Sequence, residues 1–253
     1  MDAIRYLDAV AAQAATRAYK SRLLSVLDPE RRHTVLDVGC GPGTDLPDLA
    51  ETGAEWVIGV DADPLMVAEA RRRAEEYPAV SVHVGDARHL PLADSMVDRA
   101  RLDRVLHQVP EPERALAELR RVLRPDGIAV VAQPDWDSIT VDPGDDAVNR
   151  AVRDHVCAAM PGATTGRRVA RLAERAGFEV VLDATAPVLR DFGVADEVLG
   201  LSRNAERAVR AGRLAADRAA EWLAELRSGP FLATFVLFTA VLRPAVSSAA
   251  GTR

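Results

Sequence analysis

Three glycines at alternate positions, Gly39, Gly41 and Gly43, follow the run Val35-Leu36-Asp37-Val38 and precede Thr44 and Asp45. An apolar run, a glycine turn and two residues of the types that cap helices predict a buried strand, a tight turn and a helix N-terminus. Glycines there let a ligand lie against bare backbone, close to N–H groups that the helix start leaves free. Asp61 stands at the end of the next strand-like run, Trp56-Val57-Ile58-Gly59-Val60. A carboxylate in that place can accept hydrogen bonds from both ribose hydroxyls of an adenosine-type cofactor. The spacing narrows the cofactor. A dinucleotide loop reads G-x-G-x-x-G because it wraps a pyrophosphate; here the pattern is G-x-G-x-G, with Cys40 inside it, one residue shorter. That speaks against an NAD-dependent oxidoreductase.

No Ser/His/Asp triad and no pair of catalytic carboxylates stands out. The two cysteines, Cys40 and Cys157, make neither a disulfide framework nor a metal site, so no metal is expected. Among the five histidines His107 is the best candidate for acid–base work, since an unperturbed imidazole titrates near 6.5. His33 precedes the first strand, His83 lies within a strand, His89 in a loop, and His155 in a distant helical stretch.

Elements that must position these residues follow from periodicity. An amphipathic helix covers 3–27. Strands at 33–38, 56–61, 80–84, 97–102 and 127–133 alternate with helices at 44–52, 64–76 and 111–123. Asp63-Pro64 opens the second of these helices as cap and first residue. The second half reads as helices at 145–159, 165–176 and within 195–227, with strands at 178–182 and 231–242. Such alternation predicts an α/β fold: a Rossmann-like, seven-stranded, mostly parallel sheet with helices on both faces and an antiparallel last strand. The expectation is one domain, with an N-terminal helical lid at 1–30, a cofactor-binding core at 31–135, and an acceptor-side cap and sheet closure at 136–253. Ligands of such sheets bind beyond the carboxyl ends of the strands, which places Pro134, Asp135 and Trp136 for an acceptor pocket.

The chain carries 32 basic and 38 acidic residues, a net charge of −6, which argues against a nucleic-acid partner. Arg71-Arg72-Arg73 and Arg120-Arg121 are interleaved with Glu69, Glu75, Glu76, Glu113 and Glu118, the pattern of solvated helix faces. No secretory leader is visible, and the longest apolar run is too short for a spanning helix, so a soluble cytoplasmic protein without a membrane partner is expected. Monomer and homodimer both remain open.

The segment VLDVGCGPG resembles motif I of the class I S-adenosylmethionine (SAM)-dependent methyltransferases, in which the loop passes under the amino-acid part of SAM. VGDARHLPLADSMVD is similar to the segment that places an acidic residue near the adenine amino group, here Asp86 between Gly85 and Ala87. RARLDRVLHQVPEPERALAELRRVLRPDGIAVVAQPDW looks like the following stretch of the ubiquinone/menaquinone-type and natural-product enzymes. The resemblance implies a SAM cofactor, S-adenosylhomocysteine as product, and a small-molecule acceptor, for example a secondary metabolite methylated on O, C or N. It implies that Asp37, Gly39, Cys40, Gly41, Gly43, Asp61, Ala62 and Met66 line the cofactor site. Gly85, Asp86, Ala87, Arg101, Leu102 and His107 join them, the last three beside the methionine end. Related sequences often have the histidine after the glutamine; here the order is His107-Gln108. The leading helix, with Tyr6, Tyr19 and Arg22, often lids the site in this family, which makes Tyr6 and Tyr19 acceptor candidates. A SAM-binding protein of the same fold that transfers no methyl, for instance in a cyclisation, remains the alternative.

Overall fold

The computed structural model describes residues 3–245. The chain opens with α1 (Ala3–Ala12) and α2 (Ala14–Leu27), and then alternates: β1 (Thr34–Val38), α3 (Leu46–Glu51), β2 (Trp56–Asp61), α4 (Pro64–Arg73), β3 (Val80–Val84), β4 (Val97–Asp103), α5 (Pro112–Val122) and β5 (Leu123–Asp142). The second half supplies α6 (Asp146–Ala159), α7 (Val169–Arg175), β6 (Phe178–Thr185), β7 (Val188–Leu189), α8 (Phe192–Leu199), α9 (Leu201–Arg210), α10 (Ala216–Ser228) and β8 (Leu232–Pro244). The strand order is β3-β2-β1-β4-β5-β8-β6, with β7 also pairing β8. Strands β1 to β5 pair in parallel, and β8 runs antiparallel between β5 and β6. The order reverses between β1 and β4, so a crevice opens above their carboxyl ends.

Four expectations need correction. The sheet has eight strands, not seven: β7 is two residues long and pairs with Ala233 and Thr234, too short to show as a periodic pattern. The leading helix is two helices, because Gln13 is extended (φ −66°, ψ 136°) and its side-chain amide bonds Glu197 at 2.6 Å. Neither Pro nor Gly marks that break. The strand expected at 127–133 runs on to Asp142, because Thr140, Val141 and Asp142 pair with Thr234, Ala233 and Leu232 of β8. A register shift between Asp135 and Thr140 bends this ribbon. Finally, α3 begins at Leu46, and the Asp45 carboxylate does not cap it.

Period-two alternation gives the sheet two cores. Val35, Val57, Val130 and Ala132 face α2, α3 and α4 through Leu23, Leu27, Leu46, Leu49 and Val67. Leu36, Val38, Ile58, Ala100, Leu102 and Val131 face α5 through Leu116 and Leu119. The same alternation puts Asp37, Arg101 and Asp103 on the first face at the carboxyl ends of β1 and β4, where α2 crosses. Among the described residues no helix is long and apolar enough to cross a membrane.

Gly43 belongs to this packing. Its φ is +78°, and a Cβ there would lie 2.9 Å from the backbone Cα of Ala70 in α4. Gly43→Ala is therefore expected to lower stability by about 1–3 kcal/mol through overpacking, at roughly 2–4 °C of Tm per kcal/mol. Calorimetry checks this, and a melt equal to wild type would refute it.

Candidate functional site

A cavity of about 570 Å³ lies above the carboxyl ends of β1, β2, β3 and β4, roofed by α1 and α2. That is within the usual range for small-molecule sites. Gly39, Cys40, Gly41, Pro42 and Thr44 of the glycine loop line one side, with Asp61, Ala62 and Met66 of the next turn, and Gly85, Asp86 and Ala87 of the third. The other end is walled by Tyr6, Arg104, His107, Trp136, Val198, Phe235 and Leu237.

The loop is built for close approach. Gly39 and Gly41 have φ of +70° and +54°, conformations open to glycine at little cost. A Cβ on Gly39 would collide with Val105, whereas one on Gly41 would meet only Leu7 Cδ1, at 3.6 Å. Gly41 donates its N–H to Asp61 Oδ2 at 2.8 Å, and Asp63 donates its N–H to Asp61 Oδ1 at 2.9 Å. Each carboxylate oxygen keeps lone-pair capacity for a further donor. Asp63 also caps α4, accepting from Leu65 N–H at 2.8 Å. Cys40 is buried, which pushes its thiol pKa far up and leaves it an inert neutral group. A bare-backbone loop, a free-lone-pair carboxylate one turn away and the apolar Ala62, Met66 and Ala87 fit an adenosine-type cofactor with an amino-acid tail.

Below the loop lies a buried ionic network. Arg101 and Asp37 face each other in register across β4 and β1, bonded at 3.0 and 3.2 Å. The Arg101 guanidinium also bonds Asp45, which accepts from Lys20 Nζ of α2 at 2.7 and 2.8 Å. Burial raises the Asp45 pKa, but Arg101 and Lys20 outweigh it and hold the carboxyl below the usual carboxylate range. Tyr19 Oη donates to Asp103 at 3.2 Å, and burial next to that carboxylate keeps the phenol protonated.

At the far end, Trp136 stacks on Phe235 (centroids 5.6 Å, 27°) and receives the His107 ring edge-on at 5.9 Å. The register Asp135↔Val236 in the bent β5–β8 ribbon makes Trp136 and Phe235 neighbours. His107 Nδ1 lies 2.7 Å from Gln133 Nε2. With the amide donating to Nδ1, the ring proton sits on Nε2. Burial, reinforced by the Arg104 charge, lowers the His107 pKa to about 4. That lies below the unperturbed value near 6.5 and leaves the imidazole neutral at physiological pH. Tyr6 Oη donates to Val198 O at 3.2 Å, with Arg203 over its ring at 5.6 Å.

Several expected residues lie elsewhere. Asp37 sits beneath the cavity; its carboxylate is taken by Arg101 and not by loop N–H groups. Gly43 packs against α4. Leu102 points to the opposite face, in the core with α5. Pro134 and Asp135 are buried away from the cavity, and Asp135 pairs with Arg167, whose Nη2 is 2.8 Å from Oδ1. Arg22 is exposed and pairs with Asp183. Asp86 reaches the cavity already engaged by Arg88 through its N–H (2.8 Å) and Nη2 (2.6 Å), which lower its pKa to about 2. Residues missed from the sequence are Lys20, Asp45, Asp103, Arg104, Val198 and Phe235, all of which line the cavity. Being the only lysine could have drawn attention to Lys20, and the alternation that exposes Arg101 implies Asp103. Val198 and Phe235 carry no local signal.

Residues 36–131 match a family described as methyltransferase domain. The chain is 49% identical over 95% of its length to an uncharacterised 37.1 kDa protein of transposon TN4556 from Streptomyces fradiae, 71% of which it spans. It is 33% identical over 58% of its length to an arsenite methyltransferase of Halobacterium salinarum, and that alignment spans only 38% of the relative. A crystal structure of a SAM-dependent methyltransferase from Aquifex aeolicus superposes with a TM-score of 0.56 at 19% identity, covering 94% of this chain and 96% of that one, a likeness of fold. With the motif I loop, the parallel sheet and the lidded crevice in place, the chain belongs to the class I SAM-dependent methyltransferases, transferases whose cofactor is SAM.

Proposed function

We propose that this protein transfers the methyl group of SAM to a small-molecule acceptor, a secondary metabolite presenting an O, C or N nucleophile. One observation carries the reading: a single cavity has a polar end, the Gly39–Gly41 backbone with Asp61, and an aromatic end, Trp136 with Phe235. The first suits a nucleoside with a charged tail, the second an apolar acceptor body. Bound SAM supplies a methyl group activated by a positive sulfur.

The chain's own residues have positioning to do. Asp61 would hold the ribose hydroxyls of bound SAM, and Gly39 and Gly41 would let its amino-acid tail approach the backbone. Met66, Ala62 and Ala87 would cover the base, while Asp86, paired with Arg88, offers its remaining lone pairs at the cavity edge. Helices α1 and α2 exclude water above. Orientation of this kind supplies on the order of 7–11 kcal/mol in well-aligned reactions. His107, neutral and held by Gln133, acts as a wall and hydrogen-bond donor toward the acceptor. Incubation with SAM and candidate acceptors tests the reading by mass spectrometry: a mass gain of one CH₂ with release of S-adenosylhomocysteine supports it. Tight SAM binding with a transformed but unmethylated acceptor would favour the cyclisation-type alternative.

Two further outcomes are expected. Asp61→Ala should weaken S-adenosylhomocysteine binding about tenfold or more, since charge-assisted hydrogen bonds are worth about 1.5–3 kcal/mol. Titration calorimetry reads this, and wild-type affinity would remove Asp61 from the site. Because burial keeps His107 neutral, turnover should not rise through an imidazole pKa between about pH 5.5 and 9. His107→Gln should leave that profile's shape unchanged. An unfolded chain protonates this histidine near pH 6.5 and the folded chain only at about 4, so acidification between these values should destabilise the fold. A ring that titrates near 6.5 by NMR would refute the buried neutral imidazole.

A further inference from the structure

Arg104 ends β4 in an unusual state. Its φ is +59°, a left-handed conformation rare for a residue with a side chain. The backbone there is fixed at both ends: its N–H donates to Ala132 O at 2.8 Å, and its carbonyl accepts from Gln108 Nε2 at 3.4 Å. The side chain lines the cavity and is only 23% exposed, yet its guanidinium makes no hydrogen bond among the described residues. Its closest charged neighbour is Asp103, with Nε 3.6 Å from Oδ1, and Nε itself is buried without a partner. Asp103 is no free counter-charge, because it accepts the Tyr19 hydroxyl and lies 3.9 Å from Lys20 Nζ. Arg101, by contrast, is fully paired with Asp37 and Asp45. Among the described residues the cavity therefore holds one planar cation, Arg104, whose guanidinium donors make no hydrogen bond.

The surroundings of this cation belong to the acceptor end. Its charge acts on His107, the next turn of the loop, and on Tyr6 and Tyr19 of the lid. His107 contacts Trp136, and Trp136 stacks on Phe235, so the cation and the aromatic shelf form one continuous wall. The Trp136 indole Nε1 is also buried without a partner, a second unspent donor on the same wall. Buried donors left unpaired are costly, and a guanidinium fork matches a carboxylate in two parallel hydrogen bonds.

We propose that Arg104 is a specificity-determining residue that receives a carboxylate on the methyl acceptor, so that the acceptor is an aromatic carboxylic acid lying on Trp136 and Phe235. This rests on the methyltransferase reading above and names its substrate class. Carboxylate is also the chemistry of the cofactor's own amino-acid tail, so the test must separate the two sources.

S-adenosylhomocysteine is first titrated into wild type, Arg104→Gln and Arg104→Lys. The protein saturated with it is then titrated with two matched pairs, 4-hydroxybenzoate against 4-hydroxybenzamide and 2-naphthoate against 2-naphthamide. Wild type should bind at least one acid about tenfold or more tighter than its amide. Arg104→Gln should lose that preference while keeping S-adenosylhomocysteine affinity within about twofold. Arg104→Lys, which keeps the charge without the fork, should fall between. No acid preference in wild type, no detectable binding of either acid at millimolar concentration, or a preference that survives in Arg104→Gln would overturn the proposal. A loss of S-adenosylhomocysteine affinity confined to Arg104→Gln would also overturn it, assigning Arg104 to the cofactor tail. Failure of wild type to bind S-adenosylhomocysteine would instead remove the methyltransferase reading beneath it.

Discussion

Arg101 must be neutralised where it stands. Its side chain is 6% exposed, and a buried guanidinium without partners would cost several kcal/mol. The structure meets this by bringing three segments to it: Asp37 from β1, Asp45 from the turn after the glycine loop, and Lys20 from α2 as second cation on Asp45. Breaking such a pair by deleting one partner typically costs about 3–5 kcal/mol. The consequence is geometric. Asp45 cannot serve as a helix cap, the loop between Gly39 and Asp45 is tied at both ends, and α2 is held over the crevice.

The remaining ties of the lid are weaker and lie around its rim. Asp8 pairs with Arg73 of α4 at 2.7 Å with partial exposure, Gln13 bonds Glu197 of α8, and Arg22 pairs with Asp183. Exposed pairs of this kind contribute about 0–1 kcal/mol each. Lys20 and Tyr19, under the lid, therefore do more to fix α2 than the rim contacts do. Since the hydrogen bond from Tyr19 ends on Asp103, the lid and the residue beside Arg104 are positioned by one constraint.

What could be read from the sequence was what local spacing determines. The glycine loop, the strand ending in Asp61, the Asp63-Pro64 helix start and the parallel alternation are all set within a few residues, and the structure has them. Asp37 and Leu102 illustrate the limit. Both fall in motif segments, yet strand alternation sends one beneath the cavity and the other to the opposite core. Pro134 and Asp135 would face the pocket only if the strand stopped where its apolar run stops. Instead β5 continues because β8 is there to pair with it, and pairing partners nearly a hundred residues away leave no local mark. The break at Gln13 and the two-residue β7 are likewise fixed by tertiary contacts.

The two ends of the cavity thus have different origins. The cofactor end is made by consecutive βα turns, each specified by its own few residues. The proposed acceptor end depends on the bend in the β5–β8 ribbon that sets Trp136 against Phe235, and on the turn after β4 that carries Arg104 and His107. Changes in the ribbon or that turn can alter what is bound without disturbing Gly39, Gly41 or Asp61, because among the described residues none of their hydrogen bonds reaches across. A fold of this kind can keep one cofactor chemistry and vary its acceptor, which is why the acceptor must be argued from Arg104, Trp136 and Phe235 and not from the loop that identifies the family.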